Sequence, residues 1–437
     1  MRLRRSALHG SLDDPVLGSV SFLNEIMSRY PEAISFAPGA PHPEFFGDLE
    51  PQRHIERFLA YLHDQGYGQE RARLLMFEYG PSRGIINDIV AETLRRDEGI
   101  VADPSAIVIT VGAQEALFLV LRALSTAQGR AAVAVANPCY PGIVGAARLL
   151  DLPVVPIPES SNGIDIDQLA ETCSAAAHSG QPIRICYVAP DFANPGGSRM
   201  PIAARHRLLE LAEHADFVVL EDNPYGFTAL GHQVLPSLAA LDTAGRVVHV
   251  GTFAKTCFPG ARVGYVVAGQ QVDSGGSLAD EIAALKTMVT VNTAPLAQAV
   301  VGGMLLADGD TQAERNRRKA ARYQRNLECL LSALDAGARD WPAIEWNRPD
   351  GGFFVVMRLP VRVDLALLER SASGYGVLWT PMDQFYLDGR GSHRLRLSCS
   401  YLDEAQIRSG VARLNAFIEN EVLARAPLPP PGAGRRA

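Results

Sequence analysis

The chain is 437 residues long, 47% hydrophobic and 20% charged, with a formal net charge of −7. That length exceeds one ordinary domain and suits a large domain of roughly 250 residues with a smaller companion. The acidic balance and the lack of a long basic tract argue against nucleic acid as a partner, and no run of about 18 apolar residues offers a membrane span.

Met1–Arg5 is basic, but the polar stretch behind it lacks the apolar core of a secretory signal. Cys139, Cys173, Cys186, Cys257, Cys329 and Cys399 are scattered, without metal-ligand spacing, and read as reduced residues of a cytoplasmic protein with no metal site. Residues 1–50 read as an arm, with a short helix over Val16–Arg29 and a proline-broken extended run over Ile34–Phe46. His54–His63 is helical in pattern, and Tyr79, Gly80 and Gly84 precede an amphipathic helix carrying Ile85, Ile86, Ile89, Val90 and Leu94.

From Ile107 the pattern becomes alternating strands and helices. Ile107–Val111 is an apolar strand, and Gly112-Ala113-Gln114-Glu115 opens a helix running through Leu124. A helix that starts on glycine offers unpaired amides and the positive end of its dipole to an anion. The strand Ala132–Ala136 is followed by a turn that delivers Tyr140 to a strand's C-terminal edge, where open α/β sheets bind ligands. Further strands are predicted at Val154–Pro156, Ile183–Val188 and Phe217–Leu220, with a hairpin-like Asn162-Gly163 and helices over Asp167–Ala177 and Pro201–Glu213. The third strand ends in Glu221-Asp222, and an acid closing an apolar strand is costly without a partner.

Val247–Val250 and Val263–Ala268 bracket a turn-prone loop that holds Lys255. The chain has three lysines against 38 arginines, so a lysine kept between two core strands points to a task needing an amine that can lose its proton. Thr252 and Arg262 flank it, and a hydroxyl with a guanidinium suits one phosphate. Leu278–Met304 and Gln312–Leu334 are long helical patterns, the second with a solvated face of Arg315, Arg317, Arg318, Arg322 and Arg325. Beyond them Phe353–Val356, Val377–Pro381 and Leu395–Cys399 read as strands, and alternation puts Arg394 and Arg396 on one face without choosing between them. The proline-rich tail 426–437 is expected to be disordered.

Together the FAKTCFPGAR loop, the NPCYP turn, the ANPGG element and the EDNPY strand end resemble fold-type I pyridoxal-phosphate enzymes of the class I/II aminotransferase group, over about residues 16–420. The resemblance implies an α/β large domain (51–310) with a mostly parallel seven-stranded sheet, a small α+β C-terminal domain (311–425) and an arm (1–50) packed on the small domain. It implies pyridoxal 5'-phosphate as cofactor, with Lys255 as Schiff-base lysine and acid/base, Asp222 on the pyridine nitrogen, and Tyr225 and Asn194 at the phenolic oxygen. Tyr140 would stack on the ring, and Gly112, Ala113, Gln114, Thr252 and Arg262 would hold the phosphate. Arg396, Asn194 and backbone near Gly39 would bind the substrate. Tyr79 would reach the phosphate of the opposite subunit, which implies a homodimer with shared sites.

The substrate side chain is expected near Phe36, Tyr140, Phe353 and the arm. Gly196 and Ala254 depart from the threonine and serine common at those places. HGSLDDPV, PDFANP, GVLWTPM and RLRLSCS are most similar to actinobacterial natural-product aminotransferases, which include dihydroxyphenylglycine aminotransferases and lincosamide-pathway enzymes of cysteine S-conjugates. An amino-acid aminotransferase of secondary metabolism is therefore expected, with β-elimination or oxidative decarboxylative deamination of a cysteine S-conjugate as the alternative.

Overall fold

The computed structural model describes residues 2–14, 25–26, 28–125, 131–230, 234–307, 312–337, 341 and 343–425. Most of the expected Val16–Arg29 helix, the 310/311 domain boundary and the 426–437 tail lie outside the described residues.

Eight strands form the large sheet: Ile107–Thr110 (β1), Ala132–Asn137 (β2), Val154–Ser160 (β3), Gly163–Ile164 (β4), Ile183–Val188 (β5), Val218–Asp222 (β6), Val247–Thr252 (β7) and Gly264–Val267 (β8). Their order is β1-β8-β7-β6-β5-β2-β3-β4. The run from β7 to β3 is parallel, β8 is antiparallel to both neighbours, and β4 is antiparallel to β3. Helices cover both faces, so β1 and β2 are buried along their whole length and read as unbroken apolar runs. The sheet thus has eight strands where seven were expected. The extra one is the return arm of the Asn162-Gly163 hairpin, closed by Gly163 at φ +86.

The helices Ala113–Leu124 (α1) and Pro141–Leu149 (α2) follow β1 and β2 and pack on one face. The predicted helix Leu278–Met304 is instead two, Leu278–Val289 (α3) and Pro295–Leu305 (α4). Val291 at φ 65 interrupts the run, and Pro295, lacking an N–H, starts the second helix at its first position. Gln312–Gly337 (α5) then leads to a second sheet of Glu345–Trp346 (β9), Phe354–Arg358 (β10), Thr380–Pro381 (β11) and Arg394–Ser398 (β12), all antiparallel, in the order β9-β10-β12-β11. On α5, Arg317, Arg318 and Arg325 are exposed as expected, but Arg322 turns inward to Glu44 (2.7 Å) and His42 (3.1 Å).

The arm is tied to this second sheet. Ile34–Ser35 pairs in parallel with Val377–Leu378, and the Ser398 N–H donates to the Phe36 carbonyl at 2.7 Å. That attachment carries residues 37–40 across to the C-terminal edge of the large sheet.

Candidate active site

The site assembles where the parallel strands end. β1 runs into Gly112, β2 into Tyr140, β5 into Asn194, β6 ends on Asp222 and β7 on Thr252, while the antiparallel β8 begins two residues after Arg262. One cavity of about 780 Å³ is lined by Gly39, Ala113, Gln114, Tyr140, Asn194, Asp222, Tyr225, Thr252, Lys255, Arg262 and Arg396, together with Tyr187, Ala254, Gln384, Phe385 and others.

Lys255 lies on the helical turn Phe253–Thr256, whose N-terminus Thr252 caps by accepting from the Ala254 N–H at 3.1 Å. Its Nζ donates to the Gly39 carbonyl at 2.6 Å. Burial lowers its pKa to about 8, with Arg396 and Arg262 adding to the shift and Asp222 opposing it. Asp222 is buried, and its Oδ2 accepts from the Tyr187 hydroxyl at 2.8 Å. Burial pushes its pKa up to about 6, against the Tyr187 bond. The neighbouring Glu221 has its own buried partners, His249 at 2.9 Å and the N–H groups of Leu238 and Ala239.

Arg396 projects from β12 between the rings of Phe354 (4.3 Å) and Phe385 (5.1 Å). It donates to Asn194 Oδ1 at 2.5 Å and to the Ala37 carbonyl at 2.8 Å, while its Nε is buried without a partner. Burial lowers its pKa to about 10. Tyr225 packs edge-on to Phe353 and Phe354, and burial pushes its phenol upward. Tyr140 donates to Gln114 Oε1 at 3.2 Å, and the Gln114 amide in turn donates to the Gly142 carbonyl at 2.8 Å.

Gly112 is not among the cavity-lining residues but shapes the cavity's end. It sits at φ +77, and an ideal Cβ there would lie 2.4 Å from Arg262 Nη2. Glycine therefore lets a guanidinium approach the N-terminus of α1, and among the described residues Arg262 forms no ion pair. Tyr79 does not join the cavity of its own chain and stands 89% exposed.

Two expectations for the side-chain pocket need correction. Phe36 is locked in the core of the second sheet by its backbone pairing, and Phe353 packs edge-on behind Tyr225 instead of facing the cavity. Gln384 and Phe385 line it instead. The Phe385 carbonyl accepts from the Cys139 N–H at 3.0 Å, one residue before Tyr140, which fixes the two rings' elements together. Sequence reading also missed Tyr187, whose hydroxyl in an otherwise apolar strand end was the available signal.

The family described as Aminotransferase class I and II matches residues 75–414. The chain belongs to this family. Over 418 residues it is 46% identical to the (S)-3,5-dihydroxyphenylglycine transaminase of Amycolatopsis orientalis, covering 95% of both chains. Among solved structures it is similar to the Pyrococcus horikoshii kynurenine aminotransferase in complex with PMP, at 26% identity and a TM-score of 0.79 over 96% of this chain and 97% of the other. It is also similar to LysN, the α-aminoadipate aminotransferase of Thermus thermophilus complexed with N-(5'-phosphopyridoxyl)-L-leucine, at 28% identity and a TM-score of 0.77 over 95% and 98% of the two chains. This aminotransferase is a pyridoxal-phosphate enzyme, and these relatives do not favour the lyase or oxidative alternative. Its cavity fits the cofactor: an unpaired guanidinium at a helix N-terminus suits a phosphate, and a buried amine and a buried carboxylate share the same space. No helix among the described residues is long and apolar enough to cross a membrane.

Proposed function

We propose that the enzyme exchanges the α-amino group between an arylglycine of the 3,5-dihydroxyphenylglycine type and a keto acid, in secondary metabolism. The single observation that carries this reading is the 46% identity across 95% of both chains, joined to a cavity holding Lys255, Asp222 and Arg396. That amino acid is not one used in translation, which supports a specialised pathway. The cofactor, once bound, supplies a carbonyl for the amino group and a cationic ring that accepts the electron pair left at Cα.

The chain's own residues do the rest. Lys255, with its pKa near 8, is neutral often enough to take the α-proton and return it. Asp222, held ionised by a ring cation, keeps the pyridine nitrogen protonated, while Tyr225 and Asn194 serve the phenolic oxygen. Arg262, Thr252 and the turn Gly112-Ala113-Gln114 hold the phosphate, and Tyr140 stacks on the ring. Ala254 brings no hydroxyl to that end. Arg396 grips the substrate carboxylate with its fork, orienting the Cα–H bond.

We also propose a homodimer in which Tyr79 serves the partner's site. Phe77 (66% exposed), Tyr79, Met288 (82%) and Leu296 (45%) leave apolar side chains in water, and Gly80 against Asn292 and Pro295 brings the two segments together. Six buried free cysteines support a cytoplasmic location.

The test is turnover by the cofactor-loaded protein with (S)-3,5-dihydroxyphenylglycine, S-alkyl cysteines and common amino acids, each with and without a keto acid. Keto-acid-dependent conversion with the arylglycine preferred supports the reading. Release of thiol and pyruvate, or oxygen uptake without a keto acid, overturns it.

A further inference from the structure

α1 begins with a conflict that the site itself does not resolve. Glu115 is the third residue of this helix, and its Oε2 accepts from the Val111 N–H at 2.6 Å, reaching back over Gly112-Ala113-Gln114. This bond shapes the turn, but it also sets a carboxylate at the helix end where an anion is to bind. A negative charge there competes with a phosphate for the positive end of the dipole. Lys286 of α3, fully buried, answers it. Its Nζ lies 3.1 Å from Glu115 Oε2 and 2.7 Å from Thr290 Oγ1, and Thr290 donates to Glu115 Oε1 at 2.6 Å.

We propose that Glu115, Lys286 and Thr290 form a positioning triad around a buried ammonium, in which Glu115 fixes the phosphate-binding turn and Lys286 cancels the charge that would otherwise repel the cofactor's phosphate. The inference rests on the phosphate assignment made above. None of the three residues lines the cavity, so they act through the turn and through charge.

The triad sits at the end of α3. Thr290 is the first residue past this helix, where its N–H still closes the last helical bond onto the Lys286 carbonyl (2.9 Å) while its hydroxyl reaches Glu115. The helix break that follows presents Asn292 beside Gly80, so the turn for the chain's own cofactor is tied to the surface assigned to the dimer.

The experiment is titration of the full-length apoprotein with pyridoxal phosphate and, separately, with pyridoxal, which has no phosphate. Lys286→Met is expected to weaken pyridoxal phosphate by about 10-fold to 100-fold and pyridoxal by under about 3-fold. The double variant Lys286→Met with Glu115→Gln keeps an acceptor for Val111 without the charge, and is expected to recover most of the loss. Thr290→Val, which leaves the ion pair in place if Lys286→Met does not fold, is expected to show a smaller loss of the same kind, and Thr290→Ser to restore affinity. Equal weakening of both ligands, or no recovery in the double variant, overturns the proposal. Binding of pyridoxal phosphate by the parent protein that is unaffected by Lys255→Ala overturns the site assignment beneath it, and the two failures are distinct.

Discussion

Replacing Asp222 with asparagine should make the cofactor-free protein more stable while abolishing its chemistry. Burial raises the Asp222 pKa from 3.8 to about 6. The folded chain therefore keeps a proton that the unfolded chain has released between about pH 4 and pH 6, and stability falls as pH rises through that window. At roughly 1.36 kcal/mol per unit, the cost above pH 6 is about 3 kcal/mol, and below about pH 4 it is absent. The asparagine would carry no charge and still offer an oxygen to the Tyr187 hydroxyl, so it removes the cost and keeps the bond. Thermal unfolding of the apoproteins should show Asp222→Asn melting roughly 3 °C above the parent at pH 8 and level with it near pH 4. With cofactor and substrate, the same variant should transaminate slower by about 100-fold or more, because the ring cation loses its buried counter-charge. An equal melting temperature at pH 8, or an advantage that persists unchanged at pH 4, would show that Asp222 is not held under strain for the cofactor.

Other expectations are as direct. The rate at which the apoprotein takes up pyridoxal phosphate, followed by the cofactor's absorbance, should climb with pH to a midpoint near 8 as Lys255 loses its proton; Arg396→Met, by removing a neighbouring cation, should move that midpoint upward. Arg396→Lys should lower kcat/KM for amino acids by about 100-fold, since one ammonium cannot replace a fork, and leave amines without a carboxylate unaffected. Gly112→Ala should cost cofactor affinity about 10-fold or more, because its Cβ meets Arg262 at a positive φ; equilibrium dialysis measures it. Met288→Asp should turn a dimer into a monomer in sedimentation and reduce activity with it.

Much of the large sheet was legible because strands such as β1, β2, β6 and β7 are buried along nearly their whole length and so read as apolar runs, with polar or aromatic residues at or just past their ends. Lys255, Asp222 and Tyr140 stood out on that basis. Depth along a strand is not written in alternation, and this is why Arg394 and Arg396 looked alike. Arg394 pairs opposite Arg358 at the outer end of β12 and lies over Tyr386, while Arg396, two residues on, is buried between two phenylalanines at the cavity. Contacts across distant segments were equally hidden. Tyr187 and Asp222 meet from adjacent parallel strands, and Phe385 reaches the site only because the second sheet docks against the Cys139 turn.

Lysine, scarce in this chain, is kept for the interior. All three lysines are inside the fold: Lys255 at the cavity, Lys286 against Glu115 and Lys319 on the Thr256 carbonyl. Lys319 thus holds the C-terminal end of the helical turn that carries Lys255, where a cation also suits the helix dipole. Burial lowers the pKa of each. A chain that places arginine over its surface has kept lysine where a slender, buried ammonium must reach one oxygen or give up its proton, tasks for which a broad, permanently charged fork is the wrong shape. In the proposed reading, two of the three act on the pieces that position the cofactor, and the third is the amine it would meet.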